Sequence, residues 1–250
     1  MSHFILVHGA WEESGMWDSV APILVQKGHT VTAVDLPGHG ANRQEGMQVT
    51  TELYLEALVD VISELDYPVV LAGHSMIGAL ISNVAEKIPE KIERLVYVTA
   101  FLLKNGGSVY EAMEGDAEGG AFPYIEYSDD QAYATLPVPS LRIIGLHDVD
   151  KDEIERVLPL MAEWQGTGPF MTEVAVTEER FGSVPKTFVR TSIDKMISPA
   201  LQDAMIKNWE VDSVFELVSG HFPTSSVPAE LADALLRAVA TNSSKLVSNA

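Results

Sequence analysis

Three residues whose types suit acyl transfer stand in one order along the chain: a serine in GHSMIG (73–78), an aspartate in RTSIDKM (190–196) and a histidine in SGHFP (219–223). A serine hydroxyl is a weak nucleophile alone. It becomes a strong one when a histidine takes its proton and a carboxylate holds that histidine in the productive tautomer. Ser75 follows the apolar run VVLAG and precedes a helical pattern. A sharp strand-to-helix turn there lifts the hydroxyl clear of the chain and aims the Met76 N–H where an oxyanion would form. The helix N-terminus and its dipole reinforce that placement. The stretch LVHGAW (6–11) supplies a second small turn, so Ala10 is the expected partner donor to Met76. Removing one such donor typically costs about 10²- to 10³-fold in turnover.

Position selects the other two residues. His221 is one of seven histidines, and it lies directly beyond the last strand-like run; Asp194 lies three residues past the run that ends at Thr191. The loop after the preceding run, AFLLKN (100–105), carries no acid to compete with Asp194.

These loops must be presented by a common frame. Apolar runs at 3–8, 30–35, 68–73, 94–99, 186–191 and 213–218 read as strands; helical patterns fall near 16–27, 51–65, 76–88, 200–209 and 227–240. Alternation of continuous apolar strands with amphipathic helices predicts an α/β fold, a mostly parallel sheet of at least six strands covered on both faces. Ligands then bind beyond the strands' carboxyl ends. The rhythm breaks between about 103 and 185, where NGGSVYEAMEGDAEGGAF gives way to a Tyr- and Pro-containing stretch and a helix near 150–164. The expectation is a core of 1–102 and 186–250 with an inserted, mostly helical cap of 103–185 over the sheet's carboxyl edge.

Composition narrows the chemistry. With 36 acidic against 16 basic residues the net charge is −20, a surface that repels phosphates and anionic lipid, so neither nucleic acid nor membrane is an expected partner. The absence of cysteine removes disulfides, thiol nucleophiles and thiolate metal sites together. It fits a cytoplasmic location, and MSHFILVHGAW lacks the basic region of a signal peptide. No cofactor or metal is implied. A homodimer is the assembly left open.

Taken together, FILVHGAW, VDLPGHG, GHSMIG, TEERFGSVPKTFVRTSIDKMI and SGHFPTSSVPAELADALL resemble the α/β-hydrolase superfamily. The likeness is to its branch of plant methylesterases, hydroxynitrile lyases and bacterial esterases. The resemblance covers nearly the whole chain. It implies Ser75, Asp194 and His221 as a triad, Ala10 and Met76 as oxyanion donors, and a small or medium hydrophobic or aromatic ester as substrate. Plant lyases of the branch use a threonine and a lysine where this chain has Gly9 and Phe222, so the esterase reading is preferred. A lactonase, a lyase and a non-catalytic receptor are the alternatives.

Several residues lie outside the pattern. Ile77 replaces a small residue; Gly9 and Ala10 are expected to make room for it. EESG (12–15) is expected to narrow or acidify the pocket mouth. Gly9, Trp11, His74, Trp164 and Phe222 are the expected pocket residues, with Met161, Phe170 and Met171 as further cap candidates. HDVDKDE (147–153) is read as a helix start with Asp150 and Glu153 forming a capping box, not as a calcium loop, because the sixth place lacks glycine. DLPGHG (35–40) is assigned to the scaffold.

Overall fold

The computed structural model describes residues 1–43, 49–118 and 120–247. Its strands, in chain order, are β1 (His3–Val7), β2 (Thr30–Val34), β3 (Val69–His74), β4 (Ile92–Val98), β5 (Glu126–Tyr127), β6 (Tyr133–Thr135), β7 (Gln165–Gly166), β8 (Lys186–Thr191) and β9 (Ser213–Leu217). Six of them form one sheet in the order β2-β1-β3-β4-β8-β9, with every pairing parallel. Parallel neighbours need crossovers, and the helices α1 (Ala21–Gln26), α2 (Thr51–Ser63), α3 (Ile77–Lys87) and α8 (Pro199–Ile206) lie in them, while α9 (Pro223–Ser226) and α10 (Pro228–Val247) follow the last strand. The helices α4 (Val109–Glu114), α5 (Val138–Ile144), α6 (Lys151–Val157) and α7 (Gly168–Met171) belong to the segment between β4 and β8.

The period of two along a strand divides the sheet between two cores. Phe4 and Leu6 of β1, with Val70 and Ala72 of β3, pack with Leu24 of α1 and Leu231 and Leu235 of α10. Their alternates Ile5, Val7, Val69 and Leu71 pack on the opposite face with Tyr54 and Leu58 of α2 and Ile81 and Val84 of α3. Both faces are therefore covered, which explains why these strands read as unbroken apolar runs.

Local caps set the helix starts. The Thr50 side chain accepts the Leu53 N–H and Ser198 accepts that of Leu201. The capping box is made by Ser108 and Glu111 at α4, not by Asp150 and Glu153. Asp150 precedes α6 but its side chain makes no cap hydrogen bond, and Glu153 turns instead to Arg156 at 2.7 Å. No group of three His, Asp or Glu side chains suited to a metal ion occurs among the described residues.

The inserted segment carries an antiparallel sheet, β5-β6-β7, beside its four helices. Strands of two or three residues are too short to show an alternation, so the sequence reading of a mostly helical cap with a helix near 150–164 did not include them. No described helix is long and apolar enough to cross a membrane.

Candidate active site

The serine turn is built by close packing. Ser75 sits between the end of β3 and the start of α3 with φ 55°, a left-handed conformation that side chains other than glycine seldom adopt and that costs about 1–3 kcal/mol. Three backbone hydrogen bonds hold it: Ser75 N–H to Val98 O (3.3 Å), and Gly78 N–H and Phe101 N–H to Ser75 O (3.1 Å each). A Cβ on Gly78 would lie 2.6 Å from Phe101 N and 2.7 Å from Phe101 O. Gly78 is thus the small residue that lets the helix approach the chain leaving β4.

Ile77 finds its room elsewhere than expected. Its Cγ2 would be 3.2 Å from a Cβ on Gly73, so the bare backbone of β3 accommodates it. Gly9 does not serve that purpose, because a Cβ there would strike Glu12, His74 and Ser75.

Ser75, Asp194 and His221 are brought together from three loops at the carboxyl edge. His221 Nε2 lies 2.9 Å from Ser75 Oγ and His221 Nδ1 lies 2.8 Å from Asp194 Oδ2. An ionised carboxylate only accepts, so Nδ1 carries the proton and Nε2 is left to accept the Ser75 hydroxyl. Asp194 Oδ2 also accepts from the hydroxyls of Thr99 (2.7 Å) and Thr191 (3.1 Å), while Oδ1 accepts from Met196 N–H (2.7 Å) and Ile197 N–H (3.0 Å). Burial by itself would raise the Asp194 pKa. His221 and these donors outweigh burial and hold the carboxyl below its ordinary value. Of the three, Ser75 is the most open to solvent, at 9 %.

The N–H groups of Ala10 and Met76 have no hydrogen-bond partner among the described residues, and both residues line the cavity at Ser75. The inserted segment grips the next residue, Trp11, which is itself left-handed at φ 61°. Gln165 Oε1 accepts the Trp11 N–H at 3.2 Å, Ala134 O accepts the indole N–H at 2.9 Å, and Ala162 N–H reaches Trp11 O at 2.5 Å. These bonds fix the peptide that follows the expected donor.

The cavity at Ser75 is narrow, leaving about 10 Å³ for the centre of a water molecule. Besides Ser75 and His221 its wall is apolar: Ala10, Trp11, Met76, Phe101, Met113, Ala121, Phe170, Met196 and Ile197. The Trp11 and Phe170 rings meet at 5.6 Å. Of the five expected pocket residues, Trp11 lines this space. Gly9, His74 and Phe222 do not line it. The buried Phe222 ring packs edge-on against His221 at 5.4 Å. Trp164 is 45 % exposed and away from the cavity, as is the exposed Met171; Phe170 faces in because α7 turns consecutive side chains about 100° apart.

Glu12 does not shape the pocket mouth. It is buried under the loop, where its carboxylate accepts the Gly9 N–H at 3.1 Å and meets His74 Nδ1 at 2.8 Å. Sequence reasoning missed Thr99, Gln165, Phe101, Met113, Ala121, Met196 and Ile197. Thr99 had a usable signal, since it ends the strand beside the serine turn; the others reach the site only through tertiary packing.

Comparison with known proteins agrees with this architecture. The α/β-hydrolase family profile matches residues 4–234. Methylesterase 1 of Arabidopsis thaliana is 31% identical over 252 residues, covering 94% of this chain and 95% of that protein. Methyl jasmonate esterase 1 of Vitis vinifera is 29% identical, with 92% and 93% covered. Among solved structures, a pyrethroid hydrolase from Sphingobium faniae JZ-2 superposes with TM-score 0.84 at 27% identity, covering 94% of this chain and 96% of that one. Polyneuridine aldehyde esterase does so with TM-score 0.83 at 25% identity, covering 95% and 98%. The chain belongs to the α/β-hydrolase family, in its methylesterase-like branch, and is a carboxylic ester hydrolase.

Proposed function

We propose that the protein cleaves small or medium hydrophobic and aromatic carboxylic esters through an acyl-enzyme on Ser75. The observation that carries this reading is the unbroken relay from Asp194 through His221 to Ser75, at 2.8 and 2.9 Å, ending on a serine held in the left-handed turn. Ser75 Oγ attacks the ester carbonyl carbon as its proton passes to His221 Nε2. The carbonyl oxygen, now an anion, is received by the N–H groups of Ala10 and Met76. The C–O bond to the alcohol breaks as His221 returns the proton to the leaving oxygen. Water, deprotonated by the same nitrogen, then attacks the acyl group, and Ser75 leaves reprotonated with release of the acid. Asp194 orients His221 and stabilises its imidazolium in both halves.

The substrate class follows from the wall of the cavity. Among the described residues no Asp, Glu, Lys or Arg side chain lines it, so a charged acyl group would be desolvated without a counter-ion. Relatives named for methyl jasmonate and pyrethroid esters support an uncharged, largely apolar substrate.

A panel of chromogenic esters of graded acyl length, with one aromatic acyl group, tests the proposal. Short-chain and aromatic esters are expected to turn over faster than long-chain ones. Ser75→Ala should lower kcat by several orders of magnitude while substrate binding persists. A folded protein that binds such esters yet leaves every one intact would make it a receptor.

A further inference from the structure

Under the triad lies a second buried acid–histidine pair that no step of the ester chemistry uses. Glu12 and His74 are 2 % and 0 % exposed, and Glu12 Oε1 lies 2.8 Å from His74 Nδ1. The other carboxylate oxygen accepts the Gly9 N–H. On the far side of the ring, His74 Nε2 donates to the backbone carbonyl of His221 at 2.8 Å. One short chain of contacts therefore joins the His8–Gly9 peptide, one before that of the Ala10 N–H, to the His221–Phe222 peptide.

The acceptors fix the protons. A backbone carbonyl cannot donate, so Nε2 of His74 carries one. Nδ1 faces a carboxyl oxygen, so the proton between them sits either on the ring, against a carboxylate, or on Glu12. The 2.8 Å contact between Nδ1 and Glu12 Oε1 lies outside hydrogen-bond angles. Attraction between full charges tolerates such a bend, whereas a neutral acid-to-imidazole hydrogen bond weakens steeply. Burial alone would lower the His74 pKa and raise that of Glu12; their mutual attraction outweighs it and moves both the other way.

The surroundings are compatible with a fixed charge pair. His8 is fully buried beside Glu12 and directs Nδ1 to Gly9 O at 2.8 Å, with the Asp35 carboxylate facing it from beyond β2. His39 directs Nδ1 to Glu12 O at 2.7 Å and burial lowers its pKa to about 4, so it adds no charge near neutrality. Asp194 acts on His74 from the triad side, favouring its cationic form. The His221 ring stands 4.8 Å away, centre to centre.

We infer that Glu12 and His74 form a permanently ionised positioning pair, which ties the oxyanion loop to the loop of the catalytic histidine and so fixes Ala10 relative to His221. Its catalytic consequence rests on the ester mechanism above. Its charge state does not, and can be read without substrate. Histidine ¹⁵N NMR on the intact protein, with His74→Gln to assign the resonance, is expected to show His74 protonated on both ring nitrogens at about pH 8, beyond the ordinary histidine range. In Glu12→Gln that signature should disappear, kcat should fall by about 10- to 100-fold, and KM should stay within about twofold. Glutamine preserves the acceptor for Gly9 N–H, so this loss isolates the charge.

Neutral His74 in the wild-type protein at about pH 8 would overturn the inference whether or not Glu12→Gln folds. So would a Glu12→Gln enzyme with wild-type kcat. Failure of Ser75→Ala to abolish turnover would strike the ester mechanism instead, leaving the NMR result standing.

Discussion

Two buried acid–histidine pairs lie one behind the other in this site, with histidine rings 4.8 Å apart, yet their chemistry differs. Asp194 is saturated by neutral donors: the hydroxyls of Thr99 and Thr191 and the N–H groups of Met196 and Ile197. Glu12 has the Gly9 N–H and little else besides His74. A carboxylate already solvated by fixed dipoles can stay ionised beside a neutral imidazole, which is what a base that must gain and lose a proton needs. A carboxylate short of donors keeps its charge only by holding a proton on its partner. The outlets differ too. His221 Nε2 faces the Ser75 hydroxyl, with which it can exchange a proton; His74 Nε2 faces a carbonyl, with which it cannot.

Breaking the outer pair should have the largest effect. Asp194→Asn keeps the shape but offers His221 an amide, which favours the tautomer with the proton on Nε2, where it opposes the Ser75 hydroxyl. A loss of about 10⁴-fold in kcat is expected, with little change in KM. Steady-state kinetics on the best ester of the panel measures it. Glu12→Gln comes next, at about 10- to 100-fold, because the inner pair positions the reacting groups and none of its atoms reacts. Equal losses in the two variants would remove the distinction between a cycling pair and a fixed one.

How much of this was legible in the sequence depends on how local the determinant is. The four inner strands were visible because each is buried on both faces and bounded by a turn or helix; β2 and β9, at the sheet edges, are partly exposed. Ser75, Asp194 and His221 were visible because each stands just past a strand on one edge of the sheet. The Ile77 substitution looked hazardous because the sequence does not show that the compensating space lies at Gly73, four residues back on β3, or that Gly78 makes the close approach to Phe101. Glu12 was misplaced for a related reason. In one dimension it is an acid in a loop; its burial depends on meeting His74 from β3. Likewise Trp164 and Phe170 are equivalent as apolar residues of the inserted segment, and only packing turns one toward Trp11 and leaves the other in solvent.

The smallest expected effect sharpens the comparison most, because it changes how well Asp194 is solvated and leaves the pair itself intact. Thr99→Val removes the 2.7 Å hydroxyl donor to Oδ2 and retains the side-chain volume, although Thr99 at φ 38° already occupies a conformation that β-branched residues resist. Losing one donor from a buried carboxylate should cost about 1.5–3 kcal/mol in stability, read by chemical denaturation. It should also move Asp194 a step toward the situation of Glu12. The sign is set by linkage. The folded-state pKa of Asp194 is depressed, so its contribution to stability is complete above the unfolded value of about 3.9 and is lost as pH falls through the folded value. With Thr99 gone the folded value rises toward the unfolded one, so the acid-linked loss of stability should be smaller than in the wild-type protein and should be complete at a higher pH. Thr191, Met196 and Ile197 still supply donors, so kcat should drop only a few-fold. An acid-unfolding curve of Thr99→Val with the same pH dependence as wild type would mean that His221 alone stabilises the Asp194 charge, and the contrast between a solvated acid and a starved one would lose its physical basis.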